Sequence, residues 1–270
     1  MGVGKKMRIP NVLALFASCL LLSANVTADY EKGLAAYNAG DFATALSEWK
    51  LSAEEGDAHS QHNLGTMYYQ SADFPSATLW FIEAAEQGHP HSQSNLGKIY
   101  RDGSGVPKNY ELAFHWYSAA AANGLSEAQR MLGTMYHNGE GVLQDDKEAV
   151  KWFTKAAKQG DASAQSYLGV MYGSGEGVLQ DYKEAVKWYT KAAEQGSASA
   201  QGNLGSMYGN GEGVLQDNVY AHMWFNIASS NGSETARENR DIAAKRMTPN
   251  QLAEAQSLAR ECVKKDYKNC

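Results

Sequence analysis

The sequence GEGVLQDYKEAVKWYTKAAEQG at residues 175–196 matches GEGVLQDDKEAVKWFTKAAKQG at residues 139–160 at 19 of 22 positions. A catalytic site is normally assembled once, from side chains on different elements. Near-identical copies are instead typical of a structural unit that is repeated along the chain and stacks on itself. The sequence therefore predicts a repeat protein.

Two series of residues show how far the repetition extends. Tryptophans recur every 36 residues from Trp80 to Trp224, and Leu-Gly dipeptides recur with them after a shorter first interval of 32 residues, from Gly65 to Gly97. The first repeat also lacks the Gly-x-Gly-Val loop that the other four contain. These series define five repeats, at residues 57–88, 89–124, 125–160, 161–196 and 197–232.

Each repeat is predicted to be a hairpin of two helices, called helix A and helix B. In the fourth repeat, apolar residues recur with helical spacing on either side of the loop at Gly175–Gly177. Helix B is predicted to begin after the N-cap residue Asp181 and to end at Gly196. The residues predicted to be buried are Ala164, Leu168, Met171 and Tyr172 in helix A, and Ala185, Trp188, Tyr189, Ala192 and Ala193 in helix B.

The glycine inside helix A requires a structural reason, since glycine in a helix costs about 1 kcal/mol relative to alanine. Gly169 and its counterparts are expected to permit a close approach of helix B. The ring of Trp188 is expected to cover the space that Gly169 leaves. The repeated tyrosines and tryptophans are therefore predicted to be core residues, not a surface on which sugars stack.

The first 28 residues have the composition of a secretory signal peptide. Basic residues precede an uncharged apolar run of 11 residues, from Val12 to Leu22, which is too short for the roughly 20 residues of a membrane-spanning helix. Cleavage after Ala28 is predicted, so the protein would be exported, periplasmic or secreted, without a stable membrane anchor. A lipoprotein acylated at Cys19 is the alternative, but Cys19 lies inside the apolar run.

Charge and cysteine content restrict the partners and the compartment. Without the leader, the remaining 242 residues contain 21 Lys and Arg against 30 Asp and Glu, a net charge of −9. This charge repels phosphate, so nucleic acid and anionic lipid are disfavoured as partners. Cys262 and Cys270 remain after cleavage, and an oxidising compartment favours a disulfide between them.

Three motifs in each repeat resemble those of the Sel-one-like repeat (SLR) family, a branch of the tetratricopeptide superfamily. In the fourth repeat they are A-x-A-Q-x-x-L-G-x-M-Y at Ala162–Tyr172, G-x-G-V-x-x-D at Gly175–Asp181, and A-x-x-W-Y/F-x-x-A-A-x-x-G at Ala185–Gly196. The resemblance implies an all-α fold, a right-handed α/α superhelical solenoid of stacked helix-turn-helix repeats. It also implies a non-catalytic scaffold or adaptor whose concave groove, lined by A helices, binds a protein or peptide.

The segments on either side extend the array. Residues 29–56 are predicted to form an N-terminal tetratricopeptide-like helical hairpin. Residues 233–270 are predicted to form a C-terminal helical cap, in which a capping box at Thr248 begins a helix from Pro249 to about Lys264. Its inward-facing residues are predicted to be Leu252, Ala255, Ala259 and Cys262.

Two patterns that suggest enzymatic chemistry are better explained by a structural role. Gly-x-Gly loops cradle phosphate when a strand precedes them and the helix N-terminus is free, but here a helix precedes and Asp181 or its counterpart occupies the N-terminus. Ser47 and Lys50 match the S-x-x-K motif, but the sequence lacks the S-D-N and K-T-G motifs that β-lactam chemistry also requires. A cell-wall-active hydrolase or β-lactam-binding repeat protein is kept as the alternative to a scaffold.

The predicted binding surface is the stripe of helix A that does not pack in the hairpin, because the resemblance assigns that stripe to the concave groove. Recognition draws disproportionately on aromatic and arginine side chains, so Tyr69, Arg101 and Arg130 are expected to dominate. The predicted partner-binding residues are His59, His62, Tyr69, His91, Lys98, Arg101, Asp102, Glu127, Arg130 and His137.

The chemistry of this stripe restricts what it binds. Cationic residues on an acidic protein favour an acidic segment in the partner, and the histidines are expected to strengthen binding below about pH 6.5. A metal site needs three or four converging ligands, which this pattern does not supply, so neither a metal nor a cofactor is expected. The protein is expected to be monomeric.

Overall fold

The computed structural model describes residues 29–270, and every regular element in this range is an α-helix. The predicted leader, including Cys19, lies outside the described residues. The first helix, α1, occupies residues 29–38. It is followed by α2 (Phe42–Glu54), α3 (Ala58–Gln70), α4 (Phe74–Glu86), α5 (Pro90–Asp102), α6 (Tyr110–Ala122), α7 (Ser126–Asn138), α8 (Asp146–Lys158), α9 (Ala162–Ser174), α10 (Tyr182–Ala193), α11 (Ala198–Asn210), α12 (Asn218–Ser230), α13 (Glu234–Ala244) and α14 (Pro249–Lys264).

The helices fall into two compact blocks. The N-terminal block ends at Lys108 and contains α1 to α5, and the C-terminal block begins at Asn109 and contains α6 to α14. Within the blocks, α3 packs against α4 and α9 against α10 as hairpins, while α8 packs against α9 between neighbouring repeats. The predicted all-α array of stacked helical hairpins is confirmed.

The fourth repeat shows how each hairpin forms its core. The buried residues of α9 and α10 include Ala164, Leu168, Met171, Ala185, Tyr189, Ala192 and Ala193. Tyr172 and Trp188 are half-buried and pack at the edge of this core. Small alanine side chains at the contact positions let the two helix axes lie close together.

The residue that covers the glycine of helix A is the aromatic residue after the tryptophan, so the prediction for Trp188 is wrong. A Cβ atom added to Gly169 would lie 2.5 Å from the ring of Tyr189, and one added to Gly133 would lie 2.6 Å from the ring of Phe153. One residue turns a side chain by about 100° around the helix axis, so Trp188 is rotated away from the glycine. Lys191 Nζ instead lies over the Trp188 ring, 4.5 Å from the ring centroid.

The second glycine of the Gly-x-Gly loop packs on the preceding repeat. Gly177 has a φ of +70°, and a Cβ atom added there would lie 2.3 Å from the carbonyl oxygen of Asp146, in the first turn of α8. The backbone of the loop at Gly177 therefore lies directly against the backbone of α8. Asp181 caps α10 as predicted, since its Oδ1 accepts from the backbone nitrogens of Lys183 (2.9 Å) and Glu184 (3.0 Å).

Buried amide side chains connect consecutive repeats, a feature that the repeat pattern alone does not predict. Gln165 Nε2 donates to the carbonyl oxygen of Ala157 in α8 (3.1 Å), and Gln165 Oε1 accepts from Nε2 of Gln195 (2.8 Å). Each such glutamine donates to a carbonyl at the end of a B helix, where the usual backbone donor four residues later is missing. The carbonyl of Ala157 also accepts a turn hydrogen bond from the backbone nitrogen of Gly160 (3.1 Å). The same pair of hydrogen bonds is made by Gln129 with Gln159 and by Gln201 with Asn231.

The C-terminal cap contains two helices, whereas the sequence predicts one. The missed helix, α13, packs against α12 as a further helix A would. Arg240 and Asp241 stand where the Leu-Gly dipeptide is expected, so the repeat pattern does not reveal it. The predicted helix from Pro249 is confirmed as α14, with the capping box at its start and with Ala255, Ala259 and Cys262 buried.

A disulfide joins Cys262 to Cys270, with 5.4 Å between the two Cα atoms. The residues that it encloses lie against the ends of two B helices. Tyr267 Oη donates to Asn231 Oδ1 (3.1 Å), and Lys268 Nζ donates to the carbonyl oxygen of Glu194 (2.7 Å), where α10 ends. The tail therefore covers Asn231, which makes the last of the amide hydrogen bonds between repeats.

Removing this disulfide by Cys270→Ser is expected to lower the stability of the cap by about 2–3 kcal/mol, because the open chain gains entropy when unfolded. Urea denaturation, with amide exchange of α14 as the local readout, measures the loss. In the presence of a reductant, the variant and the parent protein are expected to have the same free energy of unfolding. Alkylation of the freshly purified, unreduced protein at both cysteines would contradict the pairing.

Candidate functional site

Helices α3 and α5 bring four histidine rings together on one face of the N-terminal block. The rings of His62 and His89 are stacked, with centroids 4.5 Å apart and planes inclined by 28°. The ring of His59 lies 5.1 Å from that of His89, and His91 lies 6.1 Å from both His62 and His89. The predicted residues His59, His62 and His91 therefore do lie together, with His89 at their centre.

Buried Ser92 holds the two central rings. Its Oγ is 2.9 Å from His62 Nδ1 and 3.2 Å from His89 Nδ1, and its backbone nitrogen donates to His89 Nδ1 (3.3 Å). His89 thus serves as the N-cap of α5, a position that Asp57 and Asp161 occupy before α3 and α9. Accepting this backbone hydrogen bond requires that His89 Nδ1 carry no proton.

The environment keeps both central histidines neutral. Burial, followed by the neighbouring histidines, lowers the pKa of His62 to about 3, and burial with His59 and His91 lowers the pKa of His89 to about 4. The expectation that the predicted histidines become charged below about pH 6.5 is therefore wrong for His62, and His89 is not among the predicted binding residues. Their role is to pack α3 against α5.

Acidification is expected to destabilise the N-terminal block. Both histidines have a folded pKa below the usual 6.5, so the unfolded chain binds more protons, and stability that is full above pH 6.5 is lost progressively as the pH falls toward 4. Allowing for their partial exposure, we expect a loss of about 1–3 kcal/mol between pH 7 and pH 5. Urea denaturation at the two pH values, with amide exchange of α3 and α5, measures it.

The variant His89→Asp tests the origin of this pH dependence. Aspartate gives α5 the same type of N-cap as α3 and α9, removes one histidine with a lowered pKa, and favours protonation of His62. The pH dependence of stability is therefore expected to fall by at least about half. His115→Asp, at an exposed histidine of the other block, serves as the control and should leave it unchanged. An unaltered pH dependence in His89→Asp would exclude the histidine cluster as its source.

The C-terminal ends of α3 and α5 form a second part of the predicted surface. The ring of Tyr69 packs edge-on against Phe74, with centroids 5.2 Å apart, and Lys98 Nζ lies 5.4 Å from the Tyr69 centroid. Arg101 Nε donates to Asp102 Oδ1 (2.8 Å). Lys98 and Asp102 are exposed, while Tyr69 and Arg101 are half-buried. The structure thus places aromatic, cationic and anionic groups side by side within one block.

The predicted residues of the C-terminal block are engaged differently. Glu127 is exposed on α7. Arg130 Nε lies 3.2 Å from Oδ2 of Asp161, the N-cap of α9, and His137 Nδ1 lies 2.7 Å from Asp146 Oδ1 in α8. Arg130 therefore joins consecutive A helices, just as His62 meets His89. Asp161 was not predicted to be the partner of Arg130. The signal in the sequence is the position of Asp161 immediately before a helix A.

An exposed aromatic residue on α9 lies outside the predicted stripe of the fourth repeat. Tyr167 is 38% exposed, and Val170, which belongs to that stripe, is 43% exposed. The Tyr167 ring stacks on Phe153, with centroids 4.7 Å apart. Tyr167 lies one position beyond the predicted stripe, which is why the spacing excludes it.

The groups that could support catalysis or metal binding are the hydroxyl of Ser47 and clusters of His, Cys, Asp or Glu side chains. The hydroxyl of Ser47 donates to the carbonyl oxygen of Thr44 (2.9 Å), as serine commonly does within a helix. In residues 29–270, no group of three or more His, Cys, Asp or Glu side chains is arranged to hold a metal ion. Over the same range, the helices lack the combination of length and apolar character that crossing a membrane demands.

Known proteins provide an independent comparison. The sequence profile of the Sel1 repeat matches residues 58–89, 90–125, 126–161, 162–197 and 198–233, each one residue later than predicted. No curated protein sequence matches the chain.

Two solved structures resemble the whole array. The crystal structure of c5321, a protective antigen present in uropathogenic Escherichia coli strains and displaying an SLR fold, is 34% identical, with a TM-score of 0.83 over 91% of this chain and 55% of that chain. A Sel1 repeat protein from Oxalobacter formigenes is 31% identical, with a TM-score of 0.72 over 76% of this chain and 86% of that chain. This chain therefore spans 55% of the length of the E. coli protein.

Proposed function

Because this chain belongs to the Sel1 repeat family, whose fold is typically a protein-interaction scaffold, we propose that it is an exported protein that binds a protein or peptide on its A helices and catalyses no reaction. The predicted concave groove is the surface to which this proposal refers.

The observation that carries the proposal is the contrast between two positions on the A helices. The fourth residue of α3, α5, α7, α9 and α11 is a buried glutamine in every repeat. The second residue is exposed in every repeat, but it is a different residue type in different repeats: His59, His91, Glu127, Ser163 and Ser199. The packing residue is therefore the same in every repeat, while the exposed residue two positions before it varies. Repeat proteins that bind partners show this combination of a constant core and a varied surface.

The N-terminal block supports an acidic segment as the ligand. Lys98 is exposed, and its ammonium group lies over the ring of Tyr69, so an incoming carboxylate would meet a cation beside an aromatic surface. Both arginines are paired, but the partners differ. Arg101 pairs with Asp102, which is exposed on the same helix, whereas Arg130 pairs with the less exposed Asp161 at the start of the next helix A, so Arg130 is the weaker candidate. We therefore place the main binding surface on α3 and α5, around Tyr69, Lys98 and Arg101.

Export is supported by two features. The disulfide between Cys262 and Cys270 fits an oxidising compartment. The E. coli relative is described as a protective antigen, which favours a location outside the cytoplasm for this chain also. Whether the chain is periplasmic or fully secreted is decided by fractionation of the native host.

Photo-crosslinking tests which face binds a partner. A photoreactive amino acid at His91, exposed on α5, is expected to give one discrete covalent adduct in the native host. The same amino acid at Lys158, exposed on the B helix α8, is the control and should give none. Adducts of equal yield at both positions would place the interface elsewhere.

Titration of the captured partner then tests the residues. Tyr69→Ala, Lys98→Ala and Arg101→Ala are each expected to weaken binding by about 1–3 kcal/mol, as truncation of central interface residues does. Ser166→Ala and Ser206→Ala, on the serine-rich A helices α9 and α11, should change it by less than about 0.5 kcal/mol. Equal effects from the two sets would refute the assignment to α3 and α5.

A further inference from the structure

Two repeats of the C-terminal block cover their tryptophan with their own lysine. Lys155 Nζ lies 3.7 Å from the centroid of Trp152, and Lys191 Nζ lies 4.5 Å from the centroid of Trp188. In both cases the lysine follows the tryptophan by three residues on a B helix, so the two side chains share one helix face. An ammonium group over an indole ring is stabilised by the negative potential of the ring face.

The first repeat has the tryptophan but the opposite charge. Three residues after Trp80 stands Glu83, and Leu79 occupies the position held by Lys151 and Lys187 in the other two repeats. Trp80 is half-buried, and Leu79 is 67% exposed. The local sequence therefore supplies this indole with no cation of its own.

An open pocket lies beside this tryptophan, within the N-terminal block. Its volume is about 510 Å³, and its lining includes Glu54, Gly56, Ser76, Leu79, Trp80 and Glu83. Gln61, which also lines the pocket, already donates to the carbonyl oxygen of Ala53 and accepts from Gln87. Within residues 29–270, neither Glu54 nor Glu83 takes part in an ion pair.

We propose that this pocket binds a lysine or arginine side chain of a partner protein. The cation would take the place over Trp80 that Lys155 and Lys191 occupy over Trp152 and Trp188, and the two carboxylates would neutralise it. Leu79 gives the neighbouring residue of the partner an apolar contact, which favours a polypeptide over a small free cation. This surface is separate from the exposed stripe of α3 and α5, so it does not depend on the function proposed for that stripe.

Nuclear magnetic resonance of the ¹⁵N-labelled full chain tests the proposal. The probe is an acetylated, amidated hexapeptide of alternating leucine and lysine, compared with a peptide in which glutamine replaces lysine. The indole N–H signal of Trp80 is expected to shift saturably with the lysine peptide, and binding of the glutamine peptide should be at least about tenfold weaker. A Trp80 signal that does not respond to the lysine peptide would overturn the proposal.

Two variants with the same change in charge separate the pocket from general electrostatics. Glu83→Lys supplies Trp80 with its own cation and is expected to weaken binding of the lysine peptide by at least about tenfold. It restores the tryptophan–lysine spacing of α8 and α10, so folding should be retained, and Glu83→Gln provides a second, milder test. Glu86→Lys, on an exposed residue of α4 outside the pocket, should weaken binding by no more than about threefold.

Two further outcomes would also overturn the proposal. If Glu86→Lys weakens binding as much as Glu83→Lys, the peptide is attracted only by the net negative charge of the protein. If tetramethylammonium chloride shifts the Trp80 signal at concentrations as low as the peptide does, the pocket selects a small cation and not a polypeptide side chain.

Discussion

Replacing Phe153 with alanine is expected to destabilise the C-terminal block by about 3–5 kcal/mol, because truncation of a fully buried aromatic residue leaves a cavity. Phe153 is 0% exposed, and its ring lies where a Cβ atom of Gly133 would be, at 2.6 Å. The other side of the ring stacks on Tyr167 of the next repeat. Three helices therefore lose contacts at once, and urea denaturation with amide exchange of α7, α8 and α9 measures the loss.

The adjacent tryptophan provides the matched control. Trp152 is half-buried, and the cation of Lys155 covers its ring. Trp152→Ala is therefore expected to cost only about 1–2 kcal/mol, although tryptophan is the larger residue. If Trp152→Ala lowers the free energy of unfolding as much as Phe153→Ala does, then the tryptophan of each repeat, and not the aromatic residue that follows it, would be the principal core contact.

The second large effect is expected at the loop glycine Gly177. Gly177→Ala should cost about 3–4 kcal/mol, since alanine with a φ of +70° is strained and its Cβ atom would lie 2.3 Å from the Asp146 carbonyl oxygen. That oxygen belongs to the backbone of a helix, so it cannot move aside as a flexible side chain can. Urea denaturation gives the total loss, and amide exchange in the first turn of α8 shows where it occurs.

Gly160→Ala separates the backbone strain from the steric clash. Gly160 also has a positive φ, of +96°, but a Cβ atom added there would have no other atom within 4 Å. This control is expected to cost about 1–2 kcal/mol, the strain alone. Losses of equal size at Gly160 and Gly177 would show that the Gly-x-Gly loop does not pack closely on the preceding repeat.

The sequence predicted part of the arrangement of the histidines but not their contacts. The spacing of His59 and His62 predicted a shared face, because residues three or four apart on a helix share a face, while the approach of His91 from α5 is a tertiary contact. The spacing did not show that His62 is held by Ser92, or that Arg130 faces Asp161. Those pairs join residues about 30 positions apart, and a repeat pattern does not encode which side chains meet across the boundary between repeats.

The sequence by itself determined the hairpins, their approximate ends, the capping residues Asp181 and Thr248 and the closing disulfide. The hairpins and caps depend on local backbone preferences and on a period of 36 residues, and the disulfide joins two cysteines only eight positions apart. Only the tertiary structure decided that Tyr189 and not Trp188 covers Gly169, and that α13 forms without a Leu-Gly dipeptide. The physical reason is that a rotation of about 100° per residue separates two adjacent aromatic side chains, and only the contact with the facing helix selects between them.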